Sequence, residues 1–177
     1  RLKRSLLRSF VGQMLQDVFL FSGTIRENIT LKNDRFTEED INKAADYVGL
    51  DHVLNKLPEG LNHIVRERGN NFSSGERQLI SFARAVTYKP TVMTLDEATA
   101  NIDSETESII QSSLSKMMNI STMIIVAHRL STIQHCNKIL VMQKGEIIES
   151  GNHQELLKKK GIYYNLYQLQ YERREAI

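Results

Sequence analysis

Two short apolar runs, "TVMTLD" (91–96) and "TMIIVA" (122–127), bracket a stretch, "SETESIIQSSLSKMM" (104–118), that reads as a helix. No other feature limits the fold so tightly. Short runs rich in Val, Ile, Leu and Met predict buried strands, and strands alternating with helices predict a parallel sheet covered on both faces. Two more runs, "KILVMQ" (138–143) and "EIIES" (146–150), are separated only by Lys144-Gly145, which predicts a hairpin at the sheet's edge. "FVGQMLQ" (10–16) reads as another short strand, and "HQELLKKK" and "GIYYNLYQLQYERRE" as closing helices.

Between these strands the region from about 36 to 90 is mostly helical in pattern. In "TEEDINKAADYVGL", Thr37 is the expected N-cap, Ile41, Ala44, Ala45 and Val48 the buried stripe, and Gly49 the stop. The expected organisation is therefore a strand and remaining core over 1–35, a helical subdomain over 36–90, and the rest of an α/β core over 91–177. Charge is nearly balanced, 23 basic against 21 acidic residues, which gives no case for a nucleic-acid partner. The basic opening and the run Lys158 to Lys160 read as solvated faces. One cysteine, Cys136, excludes an internal disulfide and suits a reducing compartment.

In open α/β sheets ligands sit at the carboxyl ends of the strands. There stand Asp96 and Glu97, adjacent carboxylates after an apolar run. A strand-end Asp suits Mg²⁺, and a neighbouring Glu can polarise a water for attack on phosphorus. Neither is needed as a cap for the next helix, because Asp103 or Ser104 serves, the latter opening a box with Glu107. His128, at the end of the next run, can bond a phosphate oxygen or the water. The other histidines, His52, His63, His135 and His153, read as structural. In "NNFSSGERQLISFARA" (70–85), Ser73 and Glu76 form a capping box, and Leu79, Phe82, Ala83 and Val86 form a buried stripe. Gly75 costs stability in a first helical turn, so the expectation is that it lets an anion approach the free N–H groups.

These stretches together resemble the nucleotide-binding domain of ATP-binding cassette (ABC) proteins of the multidrug- or lipid-exporter type. The 73–76 turn resembles their signature motif, usually written LSGGQ, and "TVMTLDEATANID" their Walker B and D-loop segments. His128 resembles the switch histidine, Gln16 the Q-loop glutamine, and Glu67 in "HIVRERG" the acidic position of the loop before the signature. The resemblance implies a partial P-loop NTPase-like parallel sheet, a helical signature subdomain, and a C-terminal hairpin with helices. It also implies ATP and Mg²⁺ as cofactors. Its partners would be a second nucleotide-binding domain, homo- or heterodimeric and arranged head to tail, and a transmembrane domain at the cytoplasmic face of a cell membrane. Ser73, Ser74, Gly75 and Glu76 would then face ATP held by the partner, and Asp103 would cross the interface. Asp96 and Gln16 would serve Mg²⁺, Glu97 would be the general base, and His128 would hold the γ-phosphate. Competing readings are a soluble ABC-type ATPase acting on DNA or ribosomes, and a non-catalytic regulatory cassette.

The chain departs from that pattern in several places. It contains no G-x-x-x-x-G-K-[ST], the loop that cradles phosphates, which in the family lies upstream of the Q-loop. The expectation is a chain truncated before the Q-loop, inactive alone and poorly folded. In the signature, Phe72 replaces leucine, Ser74 the first glycine and Glu76 the glutamine, while Arg66 stands where glycine is common. An added carboxylate at 76 should repel anions unless it folds back onto its cap. These departures suit one half of an asymmetric heterodimer.

Overall fold

The computed structural model describes residues 3–15, 17–96, 102–127 and 130–175, with the side chains of 5, 131 and 170–175 excepted. The chain divides into two compact units, Arg1–Val126 and Ala127–Ile177.

The first unit runs α1 (Arg4–Phe10), β1 (Val11–Met14), β2 (Gly23–Thr24), α2 (Ile25–Thr30), α3 (Glu38–Tyr47), α4 (Asp51–Leu54), β3 (Ile64–Val65), α5 (Ser74–Tyr88), β4 (Val92–Asp96), α6 (Ser104–Met118) and β5 (Thr122–Val126). Strands β1, β4 and β5 form a parallel sheet with β4 in the middle. The pairing sets Met14 beside Leu95, and Asp96 beside Val126. Period-two alternation sends Met93 and Leu95 of β4 inward. They share one core with Leu79, Ile80 and Phe82 of α5 and with Ile110, Leu114 and Met117 of α6.

The opposite face of the sheet is less completely covered, with Val92 and Thr94 of β4 half-buried. Val11, Ile124 and Val126 are exposed there, the last two at 57%. The described helices bury one face because the apolar stripes of α5 and α6 converge on the same side of β4. β2 and β3, too short to be read from the sequence, pair antiparallel.

Helix α5 is the hub, packing against α2, α3, α6 and β1. The four stripe residues expected for it are buried, and so are Ile80, Ser81 and Thr87. A helix with neighbours on several sides buries more than one stripe. α3 starts at the Thr37 cap, and its expected stripe is buried. Gly49 then takes φ +67°, a left-handed stop that glycine adopts without strain.

The second unit runs α7 (Leu130–Ile133), β6 (Ile139–Gln143), β7 (Glu146–Gly151), α8 (His153–Lys159) and α9 (Ile162–Glu175). Lys144 and Gly145 both have positive φ, as a two-residue type I′ hairpin turn requires. The hairpin was expected at the edge of the parallel sheet; among the described residues it forms a sheet of its own. Ile139 and Val141 bury their side chains with Leu156 and Tyr163, so β6 satisfies its apolar face within this unit. The Glu149 carboxylate accepts from the N–H groups of Ile162 (2.7 Å) and Tyr163 (3.1 Å), closing the start of α9. His153 bonds the buried Tyr163 hydroxyl at 2.7 Å, the structural role expected of it.

Candidate functional site

The sheet ends its central strand on a carboxylate. Asp96 closes β4, is exposed, and has no partner among the described residues. Val126, its register partner, ends β5, so both strands finish at the same edge. The remaining expectations for this edge fall on Gln16, Glu97 and His128, and all three lie outside the described residues. Among the described residues no group of three or more His, Cys, Asp or Glu side chains is placed to hold a metal.

The signature turn is built by its own cap. The Glu76 N–H donates to Ser73 Oγ (3.2 Å), and the Ser73 N–H donates to Glu76 Oε2 (2.7 Å). Glu76 thus folds back onto its cap, the condition under which its charge is tied to this helix's own dipole. Ser73 is exposed and Ser74 half-buried. Upstream, the Asn71 side chain holds the loop: Arg66 N–H donates to its Oδ1 (2.9 Å), and its Nδ2 donates to the Ile64 carbonyl (3.0 Å). Arg68 sits at φ +54°, a left-handed conformation that costs a non-glycine residue energy. Glu67 is exposed beside it.

Gly75, expected to let an anion approach the free N–H groups, is buried. A Cβ added there would collide with the Thr106 methyl and stand 3.1 Å from Ile102 Cγ2. The open side of the glycine is occupied by the start of α6.

Asp103 is the N-cap of α6, which settles the choice between it and Ser104. Its Oδ1 accepts the Thr106 N–H at 2.9 Å. That bond, and then the bond from the Thr106 hydroxyl, hold the Asp103 carboxyl below its ordinary range. It is exposed.

Two functional-looking residues escaped the sequence reading. Arg84 of α5 donates Nε–H to the Asn28 carbonyl (2.8 Å) and reaches the Phe19 carbonyl at 3.4 Å. Burial pushes its guanidinium below its usual range, though an arginine stays charged. Asn28 is itself buried, accepting from the Phe21 N–H (2.8 Å) and donating to the carbonyls of Phe21 and Thr24. Together they fasten the segment after Gln16 to the signature helix. An exposed aromatic pair, Phe19 and Phe21, stands edge to face on that segment. The legible signal was Thr24-x-x-Glu27, which forms a full capping box at α2.

The sequence profile of the ABC transporter family matches residues 2–100. A probable multidrug resistance ABC transporter ATP-binding/permease protein, YheH of Bacillus subtilis, is 51% identical over 176 residues, covering 99% of this chain and 26% of its own. The leukotoxin export ATP-binding protein LtxB of Aggregatibacter actinomycetemcomitans is 46% identical, covering 93% of this chain and 23% of its own. The solved structure of a bacterial Atm1-family ABC exporter with ATP bound superposes with a TM-score of 0.84 at 35% identity, over 94% of this chain and 29% of that one. The chain thus spans about a quarter of the length of the curated relatives it matches.

Proposed function

Because the chain belongs to the ABC transporter family, we propose that it is part of the ATP-binding and ATP-hydrolysing machinery that drives export across a membrane. The observation that carries this reading is Asp96, an exposed carboxylate on the carboxyl edge of a parallel sheet, followed in sequence by Glu97. An exposed oxygen donor without a partner among the described residues fits the ligand set of Mg²⁺, which Asp96 and Gln16 would hold. An ion held by these residues would supply positive charge against a transferred phosphoryl group. Glu97 takes the proton of the attacking water, and His128 holds the γ-phosphate.

In this reading a second cassette faces the first head to tail. Ser73, Ser74, Gly75 and Glu76 close over ATP bound by the partner, and Asp103 reaches across the interface. Residues 36–90 form the signature subdomain, and 1–35 and 91–177 the core. The assembly sits at the cytoplasmic face of a membrane through a transmembrane domain; among the described residues no helix is long and apolar enough to cross one. The relatives' names, which include multidrug resistance and leukotoxin export, support the exporter class.

The test is ATP turnover by the complete exporter. Glu97→Gln should lower it about a hundredfold or more while leaving ATP binding intact, the loss expected when a general base is removed. Unchanged turnover would sink the assignment. The departures in the signature, Phe72, Ser74 and Glu76, favour a second reading in which this chain is half of an asymmetric heterodimer with its altered signature at the weaker site. The fold-back of Glu76 onto the Ser73 N–H limits how much its charge adds to that weakness. Glu76→Gln should then change turnover far less than Glu97→Gln, and equal collapse from both would indicate two equivalent sites.

A further inference from the structure

The backbone does not require a glycine at 75. The residue lies in the first turn of α5 with no positive φ, and glycine weakens a helix. What excludes a side chain is space: the Thr106 methyl stands where a Cβ would go, and Ile102 Cγ2 lies 3.1 Å from that point. Thr106 is itself fixed. Its N–H donates to Asp103 Oδ1 at 2.9 Å, and its hydroxyl helps hold the Asp103 carboxyl below its ordinary range. A β-branched side chain has few χ1 rotamers to choose from, and the one that sets the hydroxyl toward Asp103 sets the methyl toward Gly75.

We infer that Thr106 is a positioning residue that locks the signature turn to the D-loop of the same chain. Asp103 sets the Thr106 rotamer, the rotamer sets the depth of the methyl, and the methyl sets how closely the first turn of α5 approaches α6. The inference rests on the reading above, in which Ser73 to Glu76 and Asp103 all serve the nucleotide of a partner. In that setting the two motifs reach the partner as one rigid piece, and a shift in either is felt by the other. Sequence position hides the link, since about thirty residues separate the glycine from the threonine.

The test is a double-mutant cycle in the complete exporter, read by ATP turnover and by the midpoint of thermal unfolding. Thr106→Ser removes the methyl but keeps both bonds to Asp103. Gly75→Ala in the otherwise unchanged protein should lower turnover by roughly tenfold, the scale of overpacking a tight contact. In the Thr106→Ser background the same change should cost no more than about twofold. Thr106→Val retains a methyl facing residue 75 and loses the hydroxyl, so it should give no rescue. If Gly75→Ala alone prevents folding, recovery of soluble protein by adding Thr106→Ser is the equivalent positive result. Equal losses in both backgrounds would overturn the inference and return Gly75 to the role of admitting a ligand; a harmless Gly75→Ala would overturn it and leave the glycine with neither role. If no form hydrolyses ATP, the unchanged protein included, the functional reading fails by itself. The unfolding midpoints then still decide the packing question: rescue by Thr106→Ser upholds it and its absence overturns it.

Discussion

At the start of α5, the Ser73 hydroxyl and the Glu76 carboxylate each satisfy a backbone N–H that a helix terminus leaves without an internal partner. Removing the hydroxyl in Ser73→Ala should cost about 1 kcal/mol of stability, read as a lower denaturant midpoint with unchanged slope. Two other carboxyls respond to acid. Asp40 is held below its ordinary value of 3.8 by the Thr37 hydroxyl and then the Thr37 N–H, and Asp103 by the N–H and then the hydroxyl of Thr106. Both bind their protons less tightly in the folded state, so their contribution is complete above 3.8 and is lost as pH falls through the lowered folded-state values. Denaturation midpoints should therefore owe no change to these groups between about pH 7 and pH 5. They should fall in stronger acid, and fall less steeply in Asp40→Asn and Asp103→Asn.

Among the elements, α5 carries the most consequence, because its partners include α2, α3, α6 and β1. Its half-buried Arg84 ties it to the turn at 19–28 through carbonyl oxygens. Arg84→Met preserves the apolar stem but leaves the Asn28 carbonyl short of a donor in a buried place. The expected cost is about 2 kcal/mol, since bonds to a charged group are among the stronger ones. Loss of order should concentrate in the turn, visible as faster amide exchange at Phe21, whose N–H depends on the Asn28 side chain. Hydrophobic periodicity read the direction in which α5 faces but not how much of it is covered. Periodicity registers one apolar stripe, while Ser81 and Thr87 are buried by tertiary neighbours that the local pattern does not encode.

At the largest scale, the exposed apolar residues on one face of the first unit's sheet carry the most consequence. Val11, Ile124 and Val126 present apolar surface to solvent, and among the described residues β1 and β5 each leave one edge unpaired. Both features favour association over a sharply folded monomer. The 177-residue chain alone should melt broadly and bind a hydrophobic dye, and Ile124→Thr with Val126→Thr should reduce the dye signal. A sharp, cooperative melt without dye binding would contradict this.

The alternation of β4, α6 and β5, the cap at Ser73, the stripe of α3 and the Lys144-Gly145 turn were all determined by the sequence. Each depends on residues within a few positions of one another, where propensity and hydrogen-bonding reach decide the outcome. Only the tertiary structure decided that among the described residues the hairpin forms its own sheet, that Ile124 and Val126 stay exposed, that Asp103 rather than Ser104 caps α6, and that Thr106 fills the space beside Gly75. Most of these are contacts between segments distant along the chain, and for the cap two adjacent residues were equally suitable by sequence. The sequence pattern shows which residues seek burial or a partner, but their choice among partners is made by the three-dimensional packing.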